Sequence, residues 1–201
     1  GLLTDDEIPR SRLELAQLLE NGIGRYDHRT GVLNIGVEPL AYFFSSQESL
    51  RSPLFWRLAR ALGKTRARIY NQYPDLLDDI AAGKIDLAYN IPLSETRDLA
   101  RAEDALIVIE PRDFMLVSQW SAVIPRSGDT YRGQTVLDFI LSQHGQDLLW
   151  QAGVGFQPGT EPASLSSESL EVSIGPQLLV FLDPLKRSRF LDSWIQLVAD
   201  L

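Results

Sequence analysis

The sequence predicts an α/β fold in which a mainly parallel sheet is flanked by helices and followed by C-terminal helices. Short apolar runs rich in β-branched residues alternate with helical patterns between residues 31 and 111. This alternation is typical of βαβ units with right-handed connections. From residue 130 onward, apolar residues recur mainly at helical spacing. The two patterns together predict an α/β lobe with a helical segment after it.

The first part of the chain predicts a helix, a strand and a second helix. The stretch SRLELAQLLENG has helical spacing and meets a stop at Gly22. Residues 31–37 form an apolar, partly β-branched run that predicts a buried strand. In SPLFWRLARALGK, Ser52 is the predicted N-cap, Pro53 the first helical residue and Gly63 the stop. We assign no element to EPLAYFFSSQES, which follows the strand.

The middle of the chain continues the alternation. Residues 67–72 predict a short strand, DLLDDIAAGK predicts a helix closed by Gly83, and residues 85–91 predict another strand. The stretch ETRDLARAED has a helical pattern, and residues 105–111 form a further β-rich run. The next stretch, DFMLVSQWSAVIP, predicts extended segments without an intervening helix.

The C-terminal part contains one helix pair, one loop-rich interval and one final helix. Residues 135–153 predict a helix, a tight corner and a second helix that starts after Ser142 and stops at Gly153. The apolar stripe of this pair is expected to pack on a core. The interval GVGFQPGTEPASLSSES predicts loops, and LDPLKRSRFLDSWIQLVADL predicts an amphipathic helix.

Composition excludes several classes of protein. The chain has 201 residues, 44% of them hydrophobic and 23% charged, which suits one globular domain or two small lobes. The absence of cysteine excludes thiol catalysis, cysteine-bound zinc and disulfides. No apolar run approaches the roughly 20 residues of a membrane span. The N-terminus GLLTDDEIPR does not resemble a signal peptide, so an exported protein would be represented here by a mature form or a fragment.

Charge and motifs argue against nucleic-acid binding and catalysis. The net charge of −8 opposes contact with phosphate backbones, and the two clusters of Lys and Arg are typical of solvated surfaces. The only histidines, His28 and His144, are expected in exposed turns. No Gly-x-Ser-x-Gly elbow, Walker loop or GxGxxG motif occurs. We expect no catalytic residue, no cofactor and no metal site.

Several blocks carry a resemblance to a known family. The helix end Phe-Ile-Leu-Ser, followed by Gly-Gln, Leu-Leu and a final Gly, resembles a C-terminal signature of extracellular solute-binding proteins of ABC transporters. Further blocks occur in the order of the ferric-ion and phosphorylated-solute-binding branch of that superfamily. These blocks are RLELAQLLENG, LFWRLARALGK, LLDDIAAGKIDLAYNI, EPRDFMLVSQWSAVIP and LLVFLDPLKRSRFLDSW.

The resemblance implies a truncated two-lobe protein with a periplasmic-binding-protein-like fold. The chain is similar to the second lobe plus the C-terminal helices of such proteins. It implies an N-terminal helix and connection in residues 1–30, the α/β lobe in 31–125, and a helical segment packing on the lobe or hinge in 126–201. The implied function is solute capture in an interlobe cleft without catalysis. The implied partners are a small-molecule or ion solute and an ABC permease or membrane sensor, in the periplasm.

Candidate ligand-binding residues lie where strands end, because open α/β sheets bind ligands beyond the carboxyl ends of their strands. Three places qualify: residues 38–46, residues 89–90 and residues 112–113. Helix capping, a hydrogen-bonded strand terminus and a surface ion pair are the respective structural alternatives. The candidates are Glu38, Tyr42, Ser45, Ser46, Tyr89, Asn90 and Asp113.

The first of these places departs from the family pattern. Relatives carry a Ser-Gly-x-Gly-like turn there, whereas this chain has Glu38-Pro39-Leu40-Ala41. Proline removes an N–H donor and Glu38 adds negative charge, so an anion would be repelled. Either the ligand differs or the lobe binds weakly. A cation would suit Glu38 better, yet the sequence has neither a metal-ligand cluster nor the Tyr-Tyr pair of ferric sites.

Two other functions stay open at this point. The stretch GVLNIGVEPLAYFF is similar to the first strand and helix of LysR-like effector domains. The chain would then be the ligand-sensing domain of a transcriptional regulator, or the input domain of a sensor kinase. The Glu38-Pro39 replacement also allows an interaction protein that has lost ligand binding.

Overall fold

The computed structural model describes residues 4, 7–93, 96, 106–118, 120–152, 154, 169–172 and 175–199. Helices and strands are interspersed along the chain. They are α1 (Arg12–Asn21), α2 (Ile23–Tyr26), β1 (Thr30–Leu33), α3 (Pro39–Arg51), α4 (Leu54–Lys64), β2 (Arg68–Tyr70), α5 (Tyr73–Ala81), β3 (Leu87–Ala88), β4 (Met115–Ser118), α6 (Thr130–Leu141), α7 (Gln143–Gln151), β5 (Ser169–Val172), a 3₁₀ helix (Pro176–Leu182) and α8 (Pro184–Val198).

The main sheet has three parallel strands in the order β2-β1-β3. Val32 of β1 lies opposite Ile69 of β2, and Thr30 lies opposite Leu87 of β3. All four residues of β1 are buried, as expected of the central strand of a parallel sheet. The predicted α/β fold with a parallel sheet flanked by helices is therefore confirmed.

The strands are shorter than the sequence predicts. The strand predicted for residues 31–37 ends at Leu33, because Asn34 turns the chain. Its Oδ1 accepts the Gly36 N–H at 3.0 Å, and its carbonyl accepts the N–H of Val37 and of Glu38. The turn leads directly into α3. The sequence pattern predicts no helix for this stretch.

Most of the predicted helices are confirmed, with differences at their ends. The Gly22 N–H donates to the Leu18 carbonyl at the end of α1, and Gly83 adopts φ +65° after α5. The predicted stop at Gly63 is wrong, because α4 continues to Lys64 and Thr65 is its C-cap. Pro53 occupies the N-cap position in place of Ser52. The Ser52 hydroxyl still accepts the Leu54 N–H at 3.2 Å.

The core lies between helices α1, α4 and α8 and the main sheet. Phe190 of α8 is the centre of an aromatic cluster in which ring centroids lie 5.5 to 5.9 Å from its own. The partners of Phe190 are Tyr42, Phe55, Trp56 and Phe181. Trp194 and Val198 follow on the same buried face, at the spacing predicted for the final helix.

A second, two-stranded sheet joins β4 and β5 in parallel, with Met115 opposite Ser169. The strand expected in residues 105–111 is not formed in its described part, residues 106–111. Ile107 and Val108 are exposed, so this apolar run is not buried by a sheet neighbour. The helix expected in ETRDLARAED and the loops expected in residues 153–169 lie almost entirely outside the described residues.

The predicted helix–corner–helix is formed by α6 and α7. The Ser142 hydroxyl accepts the Gly145 N–H at 3.1 Å and so caps α7. A Cβ atom at Gly145 would lie 2.0 Å from the Phe139 carbonyl oxygen, so the tight corner requires glycine.

The expectation that this pair packs a core is wrong for α6. None of its residues is buried, and Val136, Phe139 and Leu141 are 58%, 51% and 66% exposed. Among the described residues, α6 contacts mainly α7 and the preceding segment at Ile124, which leaves its apolar stripe open to solvent. No helix in the described part of the chain combines the length and apolar character that crossing a membrane requires.

Candidate functional site

Polar side chains gather at the carboxyl edge of the main sheet, where β1, β2 and β3 end together. Asn34 follows β1, and its Nδ2 donates to Oδ1 of Asn71, which follows β2, at 2.9 Å. Tyr89 and Asn90 follow β3 directly. Ligands of open α/β sheets bind beyond this edge. It is therefore the candidate functional site.

Glu38 lies at this edge but is engaged with its own helix. Its Oε2 accepts the Ala41 N–H at 2.7 Å and the Tyr73 hydroxyl at 3.2 Å. The carboxylate thus occupies the N-terminus of α3, where Pro39 also removes one donor. An anion would meet a negative charge there in place of free N–H groups.

Two other predicted residues make contacts away from this edge. The Tyr42 hydroxyl donates to the Phe181 carbonyl at 2.6 Å, and its ring packs edge-on against Phe190. Burial raises the pKa of Tyr42, although the nearby Arg187 guanidinium opposes the increase. The Ser46 hydroxyl donates to the Phe43 carbonyl within α3 at 2.9 Å. Both hydroxyls make bonds typical of structural residues.

Ser45, Tyr89 and Asn90 do come together. Asn90 Nδ2 donates to Ser45 Oγ at 3.2 Å, and all three residues line one small cavity. The remaining lining is apolar and comes from β1, the turn after it, α3, α4 and α8. The cavity has a volume of about 20 Å³, which is room for roughly one water molecule. Two of the three predicted places therefore meet.

A buried chain of hydrogen bonds leads from Tyr89 to the third predicted place. The Tyr89 hydroxyl donates to Glu48 Oε1 at 2.5 Å, and Arg12 Nε donates to the same oxygen at 2.6 Å. Arg12 Nη1 donates to Asp113 Oδ1 at 3.1 Å and to the Phe114 carbonyl at 2.7 Å. Asp113 is thus connected to Tyr89 through two residues, Arg12 and Glu48.

The electrostatics of this chain keep Arg12 charged. Burial disfavours the guanidinium, but the carboxylates of Glu48 and Asp113, with the hydrogen bond to Glu48, outweigh that effect and raise the pKa of Arg12. Burial, reinforced by the Glu48 charge, raises the pKa of Tyr89 well above its usual range. Glu48 is fully buried, and its Oε2 has no hydrogen-bond partner among the described residues. Neutral Tyr89 is therefore a hydrogen-bond donor at physiological pH.

Apart from the Glu38 carboxylate, the edge supplies neutral hydrogen-bonding groups. Within the described part of the chain, no group of three His, Cys, Asp or Glu residues could hold a metal ion. Neither histidine belongs to the edge. His28 is exposed in a turn at φ 56°, and the His144 ring packs edge-on against Phe139 at the α6–α7 corner. The amides of Asn34, Asn71 and Asn90 are suited to hydroxyl, carbonyl or amine groups of a ligand.

Sequence reasoning missed several residues of this region. Asn34 and Asn71 carried a usable signal, because each directly follows a strand. Arg12 and Glu48 carried no such signal, because each lies in a helix that contains other polar residues. Tyr73 was identified only as the start of a helix. Its hydroxyl bond to Glu38 depends on how α3 and α5 lie beside each other.

Comparison with known proteins shows the fold. No model of a known protein family matches the chain, and no curated protein matches it. Among solved structures, it is similar to the substrate-binding protein of an ABC transporter from Agrobacterium tumefaciens. The TM-score is 0.80 at 22% sequence identity, over 94% of this chain. The chain spans 59% of the length of that protein, so the match extends over part of a longer fold.

Proposed function

We propose that the chain is the solute-binding lobe of an extracytoplasmic binding protein that serves an ABC transporter. The observation that carries the proposal is the group of amide side chains at the carboxyl edge of a parallel sheet, where such folds bind ligands. The likeness of 94% of the chain to an ABC transporter's substrate-binding protein supports it. The function is capture and delivery, with no chemical step.

The solute we propose is small, polar and without net negative charge. Asn34, Asn71 and Asn90 present neutral donors and acceptors, and Tyr89 adds a phenol that stays protonated. Glu38 occupies the helix N-terminus that would otherwise attract an anion. A sugar, a polyol or a zwitterionic amino acid fits this set of groups better than phosphate or sulfate does.

Capture would require a second lobe opposite this edge. The similar solved structure is longer than this chain, and the apolar face of α6 is open here. We propose that a further α/β segment completes the cleft and that hinge closure buries the solute. The closed form would then be presented to a permease or a membrane sensor in the periplasm.

The test is a thermal-shift screen followed by calorimetry on the two-lobe form. Neutral sugars, polyols and amino acids form one panel; phosphate, sulfate and ferric ion form the other. A solute at 100 times its Kd stabilises the folded state by about 2.7 kcal/mol, which gives a clear increase in Tm. We expect stabilisation from the first panel only.

Asn90→Ala should weaken that binding at least tenfold, and Asn21→Ala, at the exposed end of α1, is the matched control. Stabilisation by no solute would overturn the proposal. Stabilisation by anions alone would overturn the proposed solute class.

A further inference from the structure

Arg12 holds the segment that enters the second sheet. Its Nη1 donates to Asp113 Oδ1 and to the Phe114 carbonyl, and its backbone N–H lies 3.4 Å from Asp113 Oδ2. The guanidinium carbon lies 3.7 Å from the centroid of the Phe114 ring. The Arg112 N–H donates to the Arg10 carbonyl at 2.7 Å. Residues 112–114 are therefore fixed to the start of α1, directly before β4.

The other side of the same guanidinium contacts the candidate binding edge. Arg12 Nε shares Glu48 Oε1 with the Tyr89 hydroxyl, and Tyr89 is the neighbour of Asn90 in the chain. Arg12 and Glu48 are both buried, so water does not weaken these bonds. One side chain thus contacts elements on both sides of the junction between the two sheets.

We propose that Arg12 is a positioning residue that couples the candidate binding edge to the second sheet. A displacement at Tyr89 or Asn90 moves Glu48 Oε1, and the guanidinium transmits this movement to Asp113, Phe114 and β4. The use of this coupling in solute capture rests on the proposed function. The coupling itself is a property of the chain without solute.

Arginine is required at this position because of its geometry. The planar guanidinium donates to Glu48 from one edge and to Asp113 and Phe114 from another, while its face stacks on the Phe114 ring. A lysine would keep the charge, but it lacks the rigid fork and the planar face. Arg12→Lys therefore separates the role of geometry from the role of charge.

The first test measures amide exchange at β4 in the Tyr89→Phe variant without solute. Loss of the hydroxyl removes one of the two hydrogen bonds that Glu48 Oε1 accepts. We expect amide exchange at Met115–Ser118 to accelerate about fivefold, the factor that corresponds to a loss of roughly 1 kcal/mol in local stability. The matched control is Tyr70→Phe at the end of β2, which removes a hydroxyl that donates to a carboxylate of α5, that of Asp79. The control should leave exchange at β4 unchanged.

The reverse test changes Asp113 and observes Tyr89. The chain is labelled with fluorotyrosine, and the Tyr89 resonance is assigned by its loss in Tyr89→Phe. Asp113→Asn should shift that resonance, because weaker attachment of Arg12 changes the bond between Tyr89 and Glu48. Asp27→Asn, which weakens the ion pair between Asp27 and Arg66, should not shift it. In an Arg12→Lys background, Asp113→Asn should no longer shift it.

Two results would overturn the coupling. One is equal acceleration at β4 in Tyr89→Phe and Tyr70→Phe, which would indicate general destabilisation. The other is a Tyr89 resonance that does not respond to Asp113→Asn. If Arg12→Lys does not fold, the variants Tyr89→Phe and Asp113→Asn still test the coupling. Neither measurement uses a solute, so the two proposals can fail separately. If the coupling is observed but no solute stabilises the protein, the proposed function is overturned and the role of Arg12 is retained.

Discussion

Asn90 combines a left-handed backbone conformation with a side chain that lines the cavity at the candidate binding edge. Its φ is +60°, and its amide donates to Ser45 Oγ. Asparagine and aspartate tolerate this conformation better than most residues with a Cβ atom, because their short polar side chains can form local hydrogen bonds. The residue type is therefore explained by backbone geometry as well as by the proposed ligand contact.

Two substitutions separate these contributions. Asn90→Gly removes the amide but suits the positive φ, whereas Asn90→Ala removes the amide and adds strain. We expect Asn90→Ala to have a free energy of unfolding about 1 kcal/mol lower than Asn90→Gly. Urea denaturation measures the difference. Equal stability of the two variants would contradict a strained backbone at this position.

Surface carboxylates predict how stability depends on pH. The hydrogen bond from Arg25, followed by that from the Thr4 N–H, lowers the pKa of Glu7 to about 2. Arginine or lysine partners also lower the pKa of Glu20, Asp27 and Asp79. The unfolded chain then binds more protons than the folded chain in acid. The stabilisation is complete above the unfolded pKa values and is lost as the pH falls from about 4.5 towards 2.

The measurement is Tm as a function of pH between 7 and 2. Glu7→Gln should show a smaller loss of Tm in acid than the unmodified chain, and high salt should reduce the difference because this pair is exposed. Glu110→Gln is the control, since Glu110 is exposed and has no ion pair among the described residues. An acid transition of Glu7→Gln that equals that of the unmodified chain would contradict this explanation.

At the scale of elements, α8 stabilises the fold through one face. Phe190 packs against four aromatic rings and is buried, while Ile195 on the same helix is exposed. A helix that packs this way contributes burial at the positions of its inner stripe and little elsewhere. The final helix is thus part of the hydrophobic core.

Matched truncations on α8 test this asymmetry. Phe190→Ala should lower the free energy of unfolding by about 3 to 5 kcal/mol, because it leaves a cavity among aromatic rings. Ile195→Ala should change it by only about 0.5 kcal/mol. Chemical denaturation of both variants gives the comparison. Similar losses for the two would show that α8 does not pack through the face described.

At the scale of the whole molecule, the described residues pack around the main sheet and leave the apolar face of α6 open. A groove of about 420 Å³ lies between residues 122–125 and α6, and its lining is mainly apolar. Val136 lines this groove, and the exposed Leu141 lies at the end of the same helix. Contiguous exposed apolar faces on soluble proteins often mark surfaces that another segment or partner covers. The open face fits the proposal that a further segment completes the fold.

The double substitution Val136→Lys with Leu141→Lys tests that explanation. In this chain it should change the free energy of unfolding by less than about 0.5 kcal/mol, because neither side chain is buried. In a form that carries a further α/β segment, it should lower that free energy by several kcal/mol, since charges would be buried. Thermal denaturation of both forms is the measurement. Equal insensitivity would argue against a covering segment.

The sequence by itself determined the parallel α/β fold and most of its helices. Caps, glycine stops and apolar spacing act within a few residues, so α1, α5, α7 and α8 were predictable from local signals. Strand ends were predictable as places for polar side chains, which located Tyr89 and Asn90. These features depend on interactions that a short stretch contains in full.

Only the tertiary structure decided what those places contain. Asp113 lies 101 residues after Arg12, and Glu48 lies 41 residues before Tyr89, yet one hydrogen-bonded chain joins all four. It also decided that Tyr42 and Ser46 bond to carbonyls away from the edge, and that the stripe on α6 is exposed. The physical reason is that burial and pairing depend on which distant segments meet, whereas periodicity records only the face that a helix can offer.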